Sequence, residues 1–315
     1  MTIERGGLHP DPLDLAPVER DDWSELIGRA HAAGSLDRFA ESLRYESLDV
    51  REGVIDDLAT YYGFDHREVV DRCIRWEAWS VEEWTDQERD SADGLTDFYR
   101  TTRSWSFDLL WFAYLQAELH RYPVSAVIAA DVGPPEGRRH LDFGCGVGVT
   151  GQLFARSGFE SEVADIATGM LDFARFRLER RGDHVRRIDL NDERLESDRY
   201  DVVTAIDTLV HIPDLERVLR DLHAAIRPGG LLFANVAARP RTLENAQFLY
   251  EDELPVRRLI QRCGFEPLGQ LDGMVTKYRR VETTGIAHLA RRARDAVVLS
   301  PLRPIVRGWR DRLRS

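Results

Sequence analysis

The residues best suited to chemistry in this chain are a set of glycines with acids around them and one histidine downstream. Asp142-Phe143-Gly144-Cys145-Gly146-Val147-Gly148-Val149-Thr150-Gly151 puts an acid and then closely spaced glycines at the end of a short apolar run. Glycine lets a backbone approach a ligand more closely than any Cβ would permit, and N–H groups at a helix start add donors, so a nucleotide-like ligand is expected on this turn. Asp165, Asp189 and Asp207 each follow a further apolar stretch and could accept hydrogen bonds from such a ligand. His211 lies four residues past Asp207. An imidazole with an unperturbed pKa near ~6.5 can take a proton at neutral pH, which makes His211 the candidate general base.

Two cofactor classes fit the turn. Gly146-Val147-Gly148-Val149-Thr150-Gly151 satisfies the dinucleotide pattern G-x-G-x-x-G, with Asp165 near the position of a ribose acid, so an NAD(P)-dependent oxidoreductase stays open as the alternative. The other register, Asp142-x-Gly144-x-Gly146-x-Gly148, resembles motif I of the class I S-adenosylmethionine (SAM)-dependent methyltransferases. Four further blocks occur in the order of that family. Glu162-Val163-Ala164-Asp165-Ile166 resembles its second strand and Arg187-Ile188-Asp189-Leu190 its third. Tyr200-Asp201-Val202-Val203-Thr204-Ala205-Ile206-Asp207 resembles the fourth, and Arg227-Pro228-Gly229-Gly230-Leu231 the turn into the fifth. The resemblance implies a Rossmann-like α/β fold: a seven-stranded, mostly parallel sheet in the order 3-2-1-4-5-7-6.

It also implies roles. SAM would be held by Asp142 at its ammonium group, by Gly144, Cys145, Gly146 and Gly148 against bare backbone, and by Asp165 and Ile166 at the ribose. Asp189 would meet the adenine amine, the Leu190 N–H a ring nitrogen, and Asp207 would line the loop after strand four. In relatives a helix before strand one closes over the cofactor with an aromatic contact. Tyr99, with Trp105 beside it in sequence, takes that place here.

Asp207-Thr208-Leu209-Val210-His211-Ile212-Pro213-Asp214 resembles the D-V-L-E-H-L-P-D stretch of the quinone-biosynthesis type of small-molecule methyltransferase, with Val210 in place of the usual Glu. That replacement argues against a carboxylate- or metal-assisted mechanism, and no metal is expected. The D/N-P-P-Y/F motif of amino-methylating DNA enzymes is missing, and 55 acidic against 43 basic residues argue against a nucleic-acid surface. The expected acceptor is therefore a small molecule, lipid-linked or a specialised metabolite, methylated at O, N or C. A SAM-binding protein with another transfer or regulatory role is the remaining alternative, and oligomerisation is left open.

These residues need a scaffold. Residues 1–95 read as an N-terminal helical domain, with apolar positions at helical spacing (Leu26, Ala30, Ala33; Leu36, Phe39, Leu43). Gly63 is expected to end a helix, and Asp65 with Glu68, like Ser80 with Glu83, to form a capping box. Residues 87–93 read as a linker. Residues 96–135 read as cofactor-covering helices, one of them running from Phe98 through Tyr114. Residues 136–282 form the SAM-binding domain, and residues 283–315 a basic tail. From Arg279 onward ten arginines face only Glu282, Asp295 and Asp311, interleaved with apolar residues. Such a tail suits either an anionic membrane surface or the acidic body of the protein itself. Cys73, Cys145 and Cys263 match no zinc or disulfide spacing. The residues from Met1 lack a secretion-signal pattern and no apolar run reaches membrane-spanning length, so a cytoplasmic location is expected.

Overall fold

A computed structural model describes residues 17–85, 92–239 and 248–282. Most of the expected linker and the whole tail from residue 283 lie outside the described residues. Five helices come first: α1 (Glu25–Ala32), α2 (Ser35–Leu43), α3 (Val50–Tyr62), α4 (His66–Ile74) and α5 (Trp76–Thr85). Next are α6 (Ala92–Thr101), α7 (Ser104–Ala117) and α8 (Val124–Val132). The sheet region then runs β1 (Arg139–Phe143), α9 (Val149–Arg156), β2 (Glu160–Asp165), α10 (Thr168–Arg180), β3 (Arg186–Asp189), β4 (Tyr200–Ala205), α11 (Leu215–Ala225), β5 (Ile226–Ala234), α12 (Glu253–Arg262), β6 (Phe265–Leu271) and β7 (Val275–Arg280).

The seven strands form one sheet in the order β3-β2-β1-β4-β5-β7-β6, as expected. β1 to β5 are parallel and β7 is antiparallel to both neighbours. Successive side chains of a strand face opposite sides, and a sheet buried on both sides needs suitable residues on each. Leu141 and Phe143 of β1 enter the core beneath α11 and α12, whereas His140 and Asp142 face α9. The α9 side is continuous with the N-terminal helices: α1 and α2 pack on α8, α2 also on α9, and α3 on α7 and α10.

Three local expectations change. The aromatic stretch from Phe98 is two helices, not one, because the chain breaks between α6 and α7. Glu83 causes that break to hold: its carboxylate accepts from the N–H groups of Arg103 and Ser104 and from the hydroxyls of Thr102 and Ser104, at 2.7–3.2 Å. Ser80 and Glu83 therefore form no capping box; Ser80 lies within α5 and its Oγ accepts from Trp105 Nε1 at 2.9 Å. At Asp65 only half of the box is present, since Glu68 turns to Arg72. The full box is instead at Asp49 and Glu52, and Gly63 does end α3, at φ 74°.

Candidate active site

The turn from β1 to α9 owes its shape to glycine. Gly144, Gly146 and Gly148 have φ of 67°, 52° and 74°, a region that L side chains occupy only with strain. The turn's N–H groups are largely used within the protein. Those of Gly144 and Cys145 donate to the Ala164 carbonyl, that of Gly146 to Asp165 Oδ2 at 2.8 Å, and that of Gly148 to the Cys145 carbonyl. A Cβ on Gly144 would meet Thr208 at 2.2 Å and one on Gly146 would meet Leu109 Cδ1 at 2.5 Å, so the missing side chains make room for protein. Gly151 has the same cause, Val163 of β2 lying 2.3 Å from where its Cβ would be.

Asp142 is buried beneath the turn, where Gly151 N–H donates to Oδ2 at 3.0 Å and the Thr204 hydroxyl to Oδ1 at 2.9 Å. Its carboxyl faces α9 and β4, with the Gly151 N–H and the Thr204 hydroxyl as its partners. Burial pushes its pKa up to about 7, against the pull of those two hydrogen bonds. Thr204 Oγ1 also lies 3.0 Å from His140 Nε2, and His140 Nδ1 lies 2.9 Å from Ser161 Oγ. Complete burial holds His140 well below its usual pKa.

Asp165, at the end of β2, accepts from the Gly146, Ala167 and Ile166 N–H groups, which leaves part of its lone-pair capacity unused. Burial raises its pKa in spite of those bonds. Asp189, at the end of β3, accepts from the Thr168 hydroxyl at 2.7 Å and from Asn191 N–H at 3.0 Å. Burial works against its charge, but these donors outweigh it and hold the carboxyl below its ordinary range. The Leu190 N–H donates to the Asp165 carbonyl at 2.9 Å, extending the pairing of β3 with β2. Cys145 is half-buried, and its thiol is raised well above 9 by burial and the nearby Asp165 and Asp142.

Beyond β4, Asp207 sits exposed at φ 50° and is tied to Asn235, whose Oδ1 accepts its N–H at 2.6 Å. Val210 is buried in the core under α11, a place unsuited to the Glu of relatives. His211 closes a short 3-10 turn, and its ring is ringed by aromatics: Trp105 at 5.8 Å, Tyr99 at 6.2 Å and Phe248 at 4.8 Å between centroids. The Phe98–Tyr99 pair packs with Ile166, next to Asp165, whose charge reaches the Tyr99 phenol, and the buried Tyr99 hydroxyl has no hydrogen-bond partner among the described residues. Burial, with Asp165 adding to it, holds that phenol far above its ordinary pKa. α6 is further tied across the site by Arg100 Nε, which donates to Asn191 Oδ1 at 2.9 Å.

The fold therefore brings Tyr99, Asp165, Ile166 and Asp189 to one side, and Tyr99, Trp105, His211 and Phe248 to the other. Acceptors on Asp165 and Asp189, an apolar Ile166 and an unsatisfied Tyr99 hydroxyl fit a ribose- and adenine-bearing ligand. Sequence reasoning missed Thr204, although a polar residue inside an apolar strand marks it. It also missed Arg177, which falls on the apolar stripe of α10 with Met170, Ala174 and Leu178. That arginine is fully buried; burial lowers its pKa to about 10 against the pull of Asp57, so it stays charged at neutral pH.

Among proteins of known type, the methyltransferase-domain family matches residues 112–278, more than half of the chain. The ubiquinone biosynthesis O-methyltransferase of Aeromonas salmonicida is 35% identical over 106 residues, 33% of this chain and 44% of that protein. The protein of the same name from Methylocella silvestris is 31% identical over 181 residues, 56% of this chain and 66% of its own length. The chain thus spans about half the length of the first of these relatives. Among solved structures, a SAM-dependent methyltransferase from Mesorhizobium loti aligns with this chain at a TM-score of 0.42 and 19% identity, over 50% of this chain and 97% of that one. With the observed strand order and the family match together, the chain belongs to the class I SAM-dependent methyltransferases.

Proposed function

We propose that this protein transfers a methyl group from SAM to a nucleophilic atom of a small molecule, with oxygen favoured over nitrogen or carbon because the relatives above are named O-methyltransferases. The observation that carries the reading is Tyr99, which with Phe98 packs beside Ile166 at the end of β2 on one side and against His211 at the end of β4 on the other. In open α/β sheets ligands bind beyond the carboxyl ends of the strands, and both positions lie there. Bound SAM supplies a methyl group already activated by a cationic sulfur. Asp165 accepts from the ribose hydroxyls through its remaining lone pairs, Asp189 from the adenine amine, and the Tyr99 hydroxyl gains the partner it lacks.

On the acceptor side Trp105, Tyr99 and Phe248 exclude water and hold a flat molecule beside His211. Orientation of this kind can supply roughly 7–11 kcal/mol of a barrier. His211 takes the proton that a hydroxyl or phenol must lose. Residues 96–135 cover the donor, and the cytoplasm is the compartment that suits such a reaction.

Calorimetry with SAM, S-adenosylhomocysteine and NAD tests the donor: heat with the first two and none with NAD is expected. Heat with NAD alone would overturn the reading in favour of the oxidoreductase.

A further inference from the structure

We infer that Asp57 and Arg177 act as a positioning pair for the glycine turn, which makes the N-terminal helices a working part of the donor site. The inference rests on the donor reading above. Arg177 of α10 reaches in three directions: Nε donates to Asp57 Oδ2 of α3 at 3.0 Å, one terminal nitrogen to the Val147 carbonyl at 2.9 Å, and the other to Gln152 Oε1 at 3.4 Å. Both Arg177 and Asp57 are fully buried. Asp57 also accepts from Arg180 at 3.0 Å and from Arg181 at 2.8 Å.

A guanidinium is a flat, rigid fork, so its simultaneous bonds fix the carboxylate and the carbonyl relative to each other. Val147 lies between Gly146 and Gly148, where the backbone itself has little preference. Its peptide is the link at which an outside grip has most effect. One residue earlier the Gly146 N–H meets Asp165 Oδ2, so the grip on Val147 is carried to the carboxylate proposed to hold the ribose. Asp57 lies outside the span 112–278 matched by the family, while Arg177 lies inside it. Without α3 the matched span would carry a buried guanidinium stripped of this carboxylate, a costly arrangement.

The test compares full-length wild type with Arg177→Lys, Asp57→Asn, Asp57→Glu and Arg180→Gln, measuring S-adenosylhomocysteine affinity by calorimetry and the urea midpoint of each. Lysine keeps the charge beside Asp57 but cannot hold both partners, and Arg180 touches Asp57 without reaching Val147. The expected result is affinity about tenfold weaker or more in Arg177→Lys and Asp57→Asn, with partial recovery in Asp57→Glu. Arg180→Gln is expected to lose stability while binding within about twofold of wild type. Should Asp57→Asn fail to fold, Arg177→Lys carries the comparison. Wild-type affinity in a folded Arg177→Lys, or an equal loss in Arg180→Gln, overturns the pair's role. No heat from wild type itself would instead overturn the donor reading.

Discussion

At the residue scale, Asp142 shows how burial shifts the ionisation of an acid at a strand end. Its folded pKa of about 7 stands above the ordinary value of 3.8, so its ionisation disfavours the folded state as pH rises from roughly 4 to 7. Asp142→Asn should remove that contribution, and the wild type should lose stability relative to the variant across this window with a slope of at most ~1.4 kcal/mol per pH unit. Urea midpoints of the two proteins at pH 4.5, 6 and 7.5 (round values on about this window) check this; a constant difference would show that the carboxyl is ionised throughout. His211 makes a different prediction. His211→Ala should lower kcat by about 10²–10⁴, leaving SAM affinity in place. An unchanged kcat would mean that the histidine serves the loop and not the proton.

At the element scale, the covering helices depend on one borrowed cap. Glu83 of α5 satisfies the start of α7, which carries Trp105 and Leu109 to the site. Glu83→Ala should cost about 1–2 kcal/mol in urea unfolding, the range for a lost helix cap with its dipole term. The glycine turn can be divided in the same way. Gly146→Ala adds the left-handed penalty of roughly 1–2 kcal/mol to a clash with Leu109, and pairing it with Leu109→Ala should relieve the clash alone. Equal stability of the single and double variants would show that the Leu109 side chain yields without cost.

At the scale of the whole molecule, a single core joins the N-terminal helices to one face of the sheet, and the buried Asp57–Arg177 contact crosses that junction. The arginine-rich residues after 282 can be tested without knowledge of their structure. Co-sedimentation with anionic liposomes should retain the full chain more than a chain ending at Glu282 if lipid is its partner, and equal negligible pelleting would favour the acidic body.

The β1–α9 turn and the acids closing β2 and β3 could be read from the amino-acid sequence because each is local: glycine at positive φ and an acid at a strand end lie within a few neighbouring residues, whereas the strand order followed only from the resemblance to the methyltransferase family. What faces those residues was decided only by folding. Leu109 over Gly146, Thr204 under Asp142, Glu83 at the start of α7 and Asp57 beside Arg177 are partners that lie far apart along the chain. Helical spacing sets Arg177 on the apolar stripe of α10 with Met170, Ala174 and Leu178, but composition and spacing carry no record of the carboxylate that meets it. Only the packing of α3 against α10 places that carboxylate where the buried Arg177 reaches it.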